Sequence, residues 1–372
     1  MLICNRGAAI VYLERIKNNI KVIKKMASKS MIMPIVKANG YGHGIFEVAN
    51  ACIKGGADFL GVATADEAFL LYESGIRFPI LVMGATFESE FEKIINYNIT
   101  ATIFTWQMAE RLSNYARKIK KEASIHIKID TGMNRIGFVY NNPDIFEIIK
   151  KIYKLDYLNV TGIFSHFATS DSNADFTLKQ FQRFCDTTEK LKSIGLHIPL
   201  MHISNSGAIL NYPKYNLDIV RPGVLTYGLA PCSSVDGKKN IQSLGIMPAL
   251  EFKSQIINIK KIKKGESVGY SRNYIAKKDT LVATIPLGYA DGIHRILSNN
   301  GKININGKMA PIIGNICMDQ FMVDVSEIDT SIGSEISIID YQLSAEEISN
   351  YAKTINYEIL TSISSRIKRI YL

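Results

Sequence analysis

The feature that most constrains the fold is a repeated alternation of short apolar segments with helical segments. Eight apolar runs of strand length occur, and each except the last is followed by helical spacing of apolar residues. The predicted strands cover residues 31–36, 59–63, 79–83, 99–104, 124–129, 158–164, 200–203 and 217–220. An alternation of this length predicts a TIM-type (β/α)8 barrel. The alternative is an open doubly wound sheet, but no GxGxxG fingerprint follows the first strand.

The composition changes after the eighth predicted strand. Residues 231–240 are polar and rich in turn-forming residues, and the chain beyond them consists of short, often alternating segments typical of strands. Asn306-Gly307, between two such segments, is typical of a type I′ hairpin turn. We therefore predict an α/β protein with an N-terminal TIM (β/α)8 barrel over residues 1–238. A mostly-β domain follows over residues 239–372, with a helix near 344–353.

Charge and cysteine usage narrow the possible partners. The net charge is +10, but the basic residues are scattered and no Lys/Arg stripe with interleaved aromatic residues occurs, so we expect no nucleic-acid partner. The five cysteines are widely separated and form no CxxC pair, which is typical of a reducing cytosol, and we predict no metal site. The apolar run at residues 8–13 is too short for a signal peptide or a membrane span. We expect a cytoplasmic protein without membrane contact.

The first predicted strand ends in a lysine. Lys37 is followed at once by a segment, residues 38–44, that contains three glycines. A lysine at the edge of a core loses part of its solvation, which lowers its pKa, and a neutral lysine amine is a nucleophile suited to forming a Schiff base. Taken alone, the pattern is more often a solvated lysine beside a turn. The interpretation therefore depends on what lies at the ends of the other strands.

Polar side chains stand at the ends of four other predicted strands. They are Lys128 and Arg135 at the fifth, His166 at the sixth, Asn205 and Ser206 at the seventh, and Arg221 and Gly223 at the eighth. Singly, each has an ordinary structural explanation, such as a core histidine or a helix cap. Together they lie where TIM barrels build active sites, and the loops after strands seven and eight commonly hold phosphate. A phosphate-bearing cofactor with a carbonyl group that Lys37 could capture is pyridoxal 5′-phosphate.

Eight motifs occur in order along nearly the whole chain, at residues 34–44, 128–137, 165–171, 202–206, 221–223, 269–271, 288–292 and 317–320. Together they resemble the motifs of the alanine racemase family, whose members are fold-type III pyridoxal-phosphate enzymes. Two segments near the end, 354–358 and 364–366, also fit. One departure is Asn315, which stands where many relatives have an arginine, and this bears on the charge of the outer entrance.

The resemblance implies a two-base racemase of L- and D-alanine. Lys37 resembles the Schiff-base lysine and one of the two bases, and Tyr270 resembles the other base, contributed by the partner subunit. Proton removal from one face and return to the other requires a base on each face. If Tyr270 comes from a second chain, a monomer has an incomplete site, so a two-fold symmetric homodimer is expected.

The resemblance also implies which residues hold the cofactor and the substrate. Arg221 resembles the arginine facing the pyridine nitrogen, supported by His202, and His166 resembles the residue beside the ring. The other implied cofactor contacts are Tyr41, Asn205, Ser206, Gly223, Val224 and Tyr357. Arg135 and the partner's Met318 resemble the substrate-carboxylate contacts. In supporting positions are Lys128, which is often carbamylated in the family and orients the arginine, the entrance tyrosine Tyr289, and Asp319.

Three alternatives compete with this function. The first is a racemase of another small amino acid, above all serine. The free-energy difference by which an enzyme discriminates two substrates that differ by one small group is only roughly 1–3 kcal/mol, but Tyr357 favours alanine. A fold-type III decarboxylase would carry a Gly-rich phosphate loop that this sequence lacks. A non-catalytic pyridoxal-phosphate carrier would share the barrel and lysine without Tyr270 or the β domain. The resemblance favours D-alanine supply for peptidoglycan, although the sequence leaves a catabolic role open.

Overall fold

The computed structural model describes residues 6–231 and 240–372. The predicted boundary between residues 238 and 239 lies outside the described residues, as do Cys4 and Cys232, and it stays a prediction. The chain divides into two compact units. The barrel unit comprises residues 17–40 and 48–226, and the sheet unit comprises the described residues of 1–16, 41–47 and 227–372.

The barrel unit contains all eight predicted strands. In chain order they are Met31–Ile32, Leu60–Val62, Ile80–Val82, Ala101–Ile103, Ala123–Asp130, Leu158–Phe164, Met201–His202 and Ile219–Val220. All ladders between these strands are parallel, and the eighth strand pairs with the first. Isolated parallel bridges join the first strand to the second and the third to the fourth. Backbone hydrogen bonds between residues 201–204 and 218–221 join the seventh to the eighth. The predicted TIM-type barrel is therefore confirmed.

Helices follow the barrel strands as predicted. They are Ile45–Gly55, Ala65–Glu73, Phe91–Asn96, Trp106–Ile119, Ile145–Ile152, Ala174–Ser193 and Ser206–Asn211, and the helix Leu13–Met26 precedes the first strand. Side-chain caps fix where several of them begin, because Thr64, Thr105 and Asn173 each accept a hydrogen bond from the backbone N–H three residues later. A short extra strand, Phe138–Val139, pairs with the end of the fifth barrel strand.

The sheet unit is built on one nine-stranded sheet. Its spatial order is Asn258–Ile262, Thr280–Ile285, Phe321–Asp324, Lys308–Ile313, Lys302–Ile305, Glu335–Ile339, Leu250–Gln255, Gly7–Val11 and Lys368–Tyr371. A two-stranded hairpin joins Ser267–Val268 to Tyr274–Ile275. The helices Ala345–Ala352 and Asn356–Thr361 complete the unit, and the first matches the helix predicted near 344–353. The mostly-β prediction is confirmed.

Two features of the sheet unit bear on the sequence predictions. Asn306 and Gly307, with φ of 52° and 81°, connect two antiparallel strands, so the predicted hairpin turn is confirmed. The strand Gly7–Val11 was not predicted. It lies between Leu250–Gln255 and Lys368–Tyr371, and all five of its residues are buried. A strand that is buried on both sides lacks the alternation of apolar and polar residues that identifies a strand in a sequence. Its partner strands are also far away in the sequence. In the described part of the chain, no helix has the length and apolar character needed to span a membrane.

Candidate active site

Arg221, after the eighth barrel strand, is buried and hydrogen-bonded through both terminal nitrogens. Its Nη1 donates to His202 Nδ1 at 2.6 Å. Its Nη2 lies 2.7 Å from the Ser165 carbonyl oxygen and 3.1 Å from His166 Nδ1. Burial and the nearby Arg135 charge lower the pKa of Arg221 to about 9, so the guanidinium stays charged at neutral pH.

The two histidines that contact Arg221 are neutral. Burial lowers the pKa of both His166 and His202 well below the usual value, and the charge of Arg221 lowers each of them further. A neutral imidazole has one bare nitrogen that can accept a hydrogen bond from an arginine, which only donates. The structure thus places His202 and His166 against the guanidinium, and their implied roles toward the cofactor stay predictions.

Lys37 is half-buried at the end of the first barrel strand. Burial and the charge of Arg135 lower the pKa of its amine, and Glu67 opposes this effect. The next three residues, Ala38 to Gly40, adopt left-handed helical angles with φ between 51° and 60°. This turn is closed by a 2.9 Å hydrogen bond from Gly40 N to Val36 O and tied to Glu67 through the N–H of Ala38. Lys37 is therefore followed by a tight turn in the left-handed helical conformation.

Lys128 lies on the fifth barrel strand, and its side chain is buried. Its ammonium nitrogen lies 4.2 Å from the centroid of the Phe164 ring, and burial with the charges of Arg221 and Arg135 lowers its pKa well below the usual value. Asp130, two residues on, accepts hydrogen bonds from three successive backbone N–H groups of residues 132–134. That carboxylate fixes the loop that carries Arg135, and the charge of Arg135 depresses the pKa of Lys37 and Lys128 alike.

The loops after the seventh and eighth strands meet at Ser206. The Ser206 hydroxyl oxygen accepts hydrogen bonds from Gly223 N at 2.9 Å and Leu225 N at 3.4 Å, so its own proton remains available to a ligand. Val224 lies between these two donors and is buried. The Asn205 side chain has a different task, since its Oδ1 accepts from Ala208 N and caps the helix Ser206–Asn211. Its predicted contact with the cofactor stays a prediction.

An aromatic group in the sheet unit contains two of the predicted cofactor contacts. Tyr41 is buried and stacks on Tyr227 with ring centroids 4.7 Å apart. The Tyr357 ring lies 6.0 Å from Tyr41 in a tilted arrangement. Tyr41 also has a positive φ of 51°, continuing the left-handed backbone that begins at Ala38. The two predicted tyrosines are therefore neighbours within one unit.

Tyr270 lies on an exposed loop of the sheet unit, and 73% of its surface is accessible in the chain. The following residues Ser271 and Arg272 have positive φ values of 61° and 49°. The Tyr270 carbonyl oxygen accepts a 2.9 Å hydrogen bond from Asn315 Nδ2, and Asn315 Oδ1 accepts from Asn273 Nδ2 at 2.9 Å. Sequence reasoning did not identify Asn315 as a support of this loop, although its replacement of an arginine was the available signal.

Tyr289 and Met318 lie on two loops of the sheet unit that are joined through the backbone. Tyr289 N donates to Cys317 O at 3.0 Å, and Ala290 N donates to Met318 O at 3.1 Å. The two backbones lie so close together that a Cβ on Gly288 would be only 2.3 Å from backbone atoms of residues 317 and 318. Both predicted side chains are exposed. Asp319, beside them, accepts a 2.7 Å hydrogen bond from Arg366.

The predicted site residues thus fall into two sets. The barrel unit brings together six polar groups that are linked by hydrogen bonds or by the effect of one charge on another's pKa: Lys37, Lys128, Arg135, His166, His202 and Arg221. Ser206, Gly223 and Val224 form a second cluster in the same unit. The sheet unit carries Tyr41 with Tyr357, and separately Tyr270, Tyr289, Met318 and Asp319.

Comparison with known proteins agrees with this arrangement. The family profile of the alanine racemase N-terminal domain matches residues 11–231, and that of the C-terminal domain matches residues 249–371. The chain is 40% identical over 370 residues to alanine racemase 2 of Caldanaerobacter subterraneus subsp. tengcongensis, covering 97% of this chain and 94% of that protein. It is 39% identical over 371 residues to alanine racemase of Methanococcus maripaludis, covering 98% of each chain.

Solved structures give the same result. Alanine racemase of Clostridium difficile 630 superposes with a TM-score of 0.93 at 36% sequence identity, covering 100% of this chain and 96% of that one. Alanine racemase from a D-cycloserine-producing Streptomyces lavendulae superposes with a TM-score of 0.94 at 31% identity, covering 100% and 98%. The identities, the coverage and both domain profiles lead to one conclusion: the chain belongs to the alanine racemase family.

Proposed function

We propose that this protein is a pyridoxal-phosphate-dependent alanine racemase that interconverts L- and D-alanine with two bases, Lys37 and Tyr270. The observation that carries the proposal is the buried guanidinium of Arg221, whose Nε has no hydrogen-bond partner among the described residues. Its terminal nitrogens are already engaged by neutral acceptors. A buried donor left without an acceptor is unfavourable, so this Nε calls for an acceptor from a ligand. A pyridine nitrogen is such an acceptor.

The other residues of the barrel unit also fit pyridoxal 5′-phosphate. The depressed pKa of Lys37 favours the neutral amine that can bond to an aldehyde carbon. The Ser206 hydroxyl retains a proton that can be donated to a phosphate oxygen. Lysine, arginine and serine thus match the carbonyl, ring nitrogen and phosphate of one molecule. The contacts implied for Tyr41, Tyr357 and the backbone of residues 223 and 224 stay part of the proposal.

The chemistry divides between the cofactor and the chain. Pyridoxal phosphate, when bound, supplies an electron-withdrawing ring that acidifies the Cα–H bond of the amino acid. Lys37 Nζ would hold or release the Cα proton on one face, and the Tyr270 hydroxyl would do so on the other. Arg221 would donate a hydrogen bond to the ring nitrogen while keeping its own proton, since its pKa of about 9 keeps it charged. Retention of that proton limits side reactions such as transamination.

A homodimer is part of this proposal. Tyr270 and Met318 are exposed large side chains of the sheet unit, as expected if they serve a neighbouring chain. Arg135 and the backbone of Met318 would bind the substrate carboxylate, and Tyr289 would line the entrance. Lys128, if carbamylated, would become an anion that orients Arg135. A cytoplasmic enzyme of this kind would supply D-alanine for peptidoglycan.

The test is direct and distinguishes the substrates. The purified protein should be yellow, and borohydride should link the cofactor covalently to Lys37, as mass spectrometry of the labelled peptide would establish. Circular dichroism should record loss of optical activity from L-alanine and much less from L-serine. A colourless protein without label would refute the proposal, and faster conversion of L-serine would reassign the substrate.

A further inference from the structure

We propose that His126 is a positioning residue for Arg221, acting through His202 in a directional chain of hydrogen bonds. The inference rests on the proposed function, because it assigns a role in presenting Arg221 Nε to the cofactor ring. His126 lies in the middle of the fifth barrel strand and was not among the site residues predicted from sequence. Its link to the site is the ring of His202.

The chain of contacts is short and buried. Arg221 Nη1 lies 2.6 Å from His202 Nδ1, and His202 Nε2 lies 2.9 Å from His126 Nδ1. The exposed fractions of Arg221, His202 and His126 are 2%, 0% and 1%. Water therefore does not substitute for a missing partner at any of the three residues, and each hydrogen bond has to be satisfied by the next.

The protons in this chain can have only one arrangement. An arginine donates and never accepts, so His202 Nδ1 must be the bare nitrogen. Neutral His202 then carries its proton on Nε2 and donates it to His126 Nδ1, which must be bare in turn. His126 is therefore the tautomer with its proton on Nε2. Burial and the charge of Arg221 lower the pKa of His126 to about 3, which agrees with the neutral ring that this arrangement requires.

The local fold makes room for the chain of contacts. His126 lies on the fifth strand and His202 on the seventh, with the sixth strand between them. The residue of the sixth strand opposite His126 is Gly162, where a Cβ would lie only 2.7 Å from the His126 ring. Two residues further along the sixth strand, Phe164 stacks on His202 with an interplanar angle of 3° and a centroid distance of 4.7 Å. A glycine thus admits one ring and a phenylalanine fixes the plane of the other.

The consequence concerns the guanidinium. If the acceptor at position 126 is lost, the Nε2–H of His202 is left buried without a partner, and moving that proton to the other ring nitrogen would place an Nδ1–H against an N–H of Arg221. Two donors would then oppose each other at 2.6 Å, and the guanidinium would have to turn. His126 therefore holds His202 as an acceptor, and His202 holds Arg221 with its Nε left for the ligand.

Three variants of the full-length protein separate positioning from packing. His126→Leu removes the acceptor, whereas His126→Asn retains an amide oxygen close to the position of Nδ1. Thr102→Val is the matched control, since Thr102 is the neighbour of His126 in the adjacent strand and donates one buried hydrogen bond, at 2.6 Å, to Val82 O. We expect His126→Leu to weaken pyridoxal phosphate binding by about tenfold and to shift the absorption maximum of the bound cofactor. His126→Asn and Thr102→Val should stay within about twofold of the wild type.

A measurement on the cofactor-free protein tests the hydrogen-bond chain independently of catalysis. Nitrogen-15 NMR of histidine-labelled wild-type protein should assign neutral His202 with its proton on Nε2. Finding the proton on Nδ1, or equal losses in His126→Leu and Thr102→Val, would overturn the inference. If His126→Leu does not fold, Gly162→Ala should displace the ring without removing a polar group and should give the same spectral shift. A wild type with the expected tautomer that binds no pyridoxal phosphate would refute the proposed function and leave the hydrogen-bond chain standing.

Discussion

The two proposed bases stand on similar backbones in two different settings. Lys37 is followed by Ala38 and Asn39 with φ of 51° and 53°, and Tyr270 is followed by Ser271 and Arg272 with φ of 61° and 49°. Residues other than glycine rarely adopt this conformation, which costs roughly 1–2 kcal/mol each, and such strain is common at functional sites. Both bases therefore sit beside a backbone that the surrounding structure must hold in place.

The means of holding that backbone differ. Around Lys37 the barrel unit provides charged side chains and buried neutral imidazole rings, and the charge of Arg135 acts on Lys37, Lys128 and His166. Around Tyr270 the sheet unit provides amides, through Asn315 and Asn273, and leaves the side chain exposed. Lys37 is therefore surrounded by polar groups of its own unit, whereas the Tyr270 side chain is exposed in the chain. Four predictions test this contrast.

The largest effect is expected from removing each of the two bases in a separate variant. Tyr270→Phe should lower racemisation by roughly 10²–10⁴-fold while the protein stays yellow, because it removes a proton-transfer group and leaves the barrel unit intact. Lys37→Ala should be inactive as well. When the two variants are mixed and allowed to exchange subunits, about a quarter of wild-type activity should return, since half the dimers are mixed and each carries one intact site.

The outcome decides where Tyr270 acts. If it served its own chain, every site in a mixed dimer would lack one base, and no activity would return. The control is Tyr341→Phe, which alters another highly exposed tyrosine of the sheet unit and should leave racemisation unchanged. Activity is followed by circular dichroism and subunit exchange by native mass spectrometry.

The next effect concerns the amide support of the Tyr270 loop. Asn315→Ala removes the donor to the Tyr270 carbonyl oxygen, so kcat should fall by about tenfold as the base loses its position. The cofactor absorption band should not change. Asn300→Ala, which removes a comparable 2.8 Å bond to the carbonyl of Tyr351, should leave kcat unaffected. A changed cofactor band in Asn315→Ala would mean that the two sides of the comparison are not separate.

The third prediction addresses the buried rings of the barrel unit. The folded-state pKa of His126 is about 3, below its unfolded value near 6.5, so the unfolded chain binds more protons between these values. Stability should therefore decline as pH falls below 6.5, and His126 contributes about 1.4 kcal/mol per pH unit. His126→Asn should flatten urea-unfolding stability against pH by that slope, whereas substitution of the exposed His197 by Asn should not. An unchanged slope in His126→Asn would show that folding does not lower the pKa of His126.

The smallest effect is expected from relieving the left-handed turn. Ala38→Gly should raise the free energy of unfolding by about 0.5 kcal/mol, because relief of roughly 1–2 kcal/mol exceeds the entropy that glycine adds to the unfolded chain. The control is Lys120→Gly. Lys120 is the C-cap of the helix Trp106–Ile119 and has a left-handed φ of 57°, so its replacement by glycine should give a similar gain. Urea unfolding measures both. A loss of stability at residue 38 alone would indicate that the Ala38 methyl group makes compensating contacts.

Much of the fold could be predicted from the sequence. The eight barrel strands and the Asn306-Gly307 hairpin follow from local periodicity and turn chemistry, which depend on neighbouring residues only. The order of polar residues at the strand ends was also sufficient to predict a cluster, because parallel barrel strands all end at the same face. Lys37, His166 and Arg221 are predicted in this way from their positions after the strands.

Other features were decided by tertiary structure. Gly7–Val11 joins its sheet through partners more than 200 residues away, and the pairing of distant strands leaves no local mark. The link from His126 to Arg221 depends on a glycine in the strand between two histidines, which is a matter of register across three strands. The order of residues is enough to predict which chemical groups are present and at which strand ends they lie. Tertiary structure decided which of them are buried, and burial sets their proton positions and pKa values because it removes the water that would otherwise satisfy them.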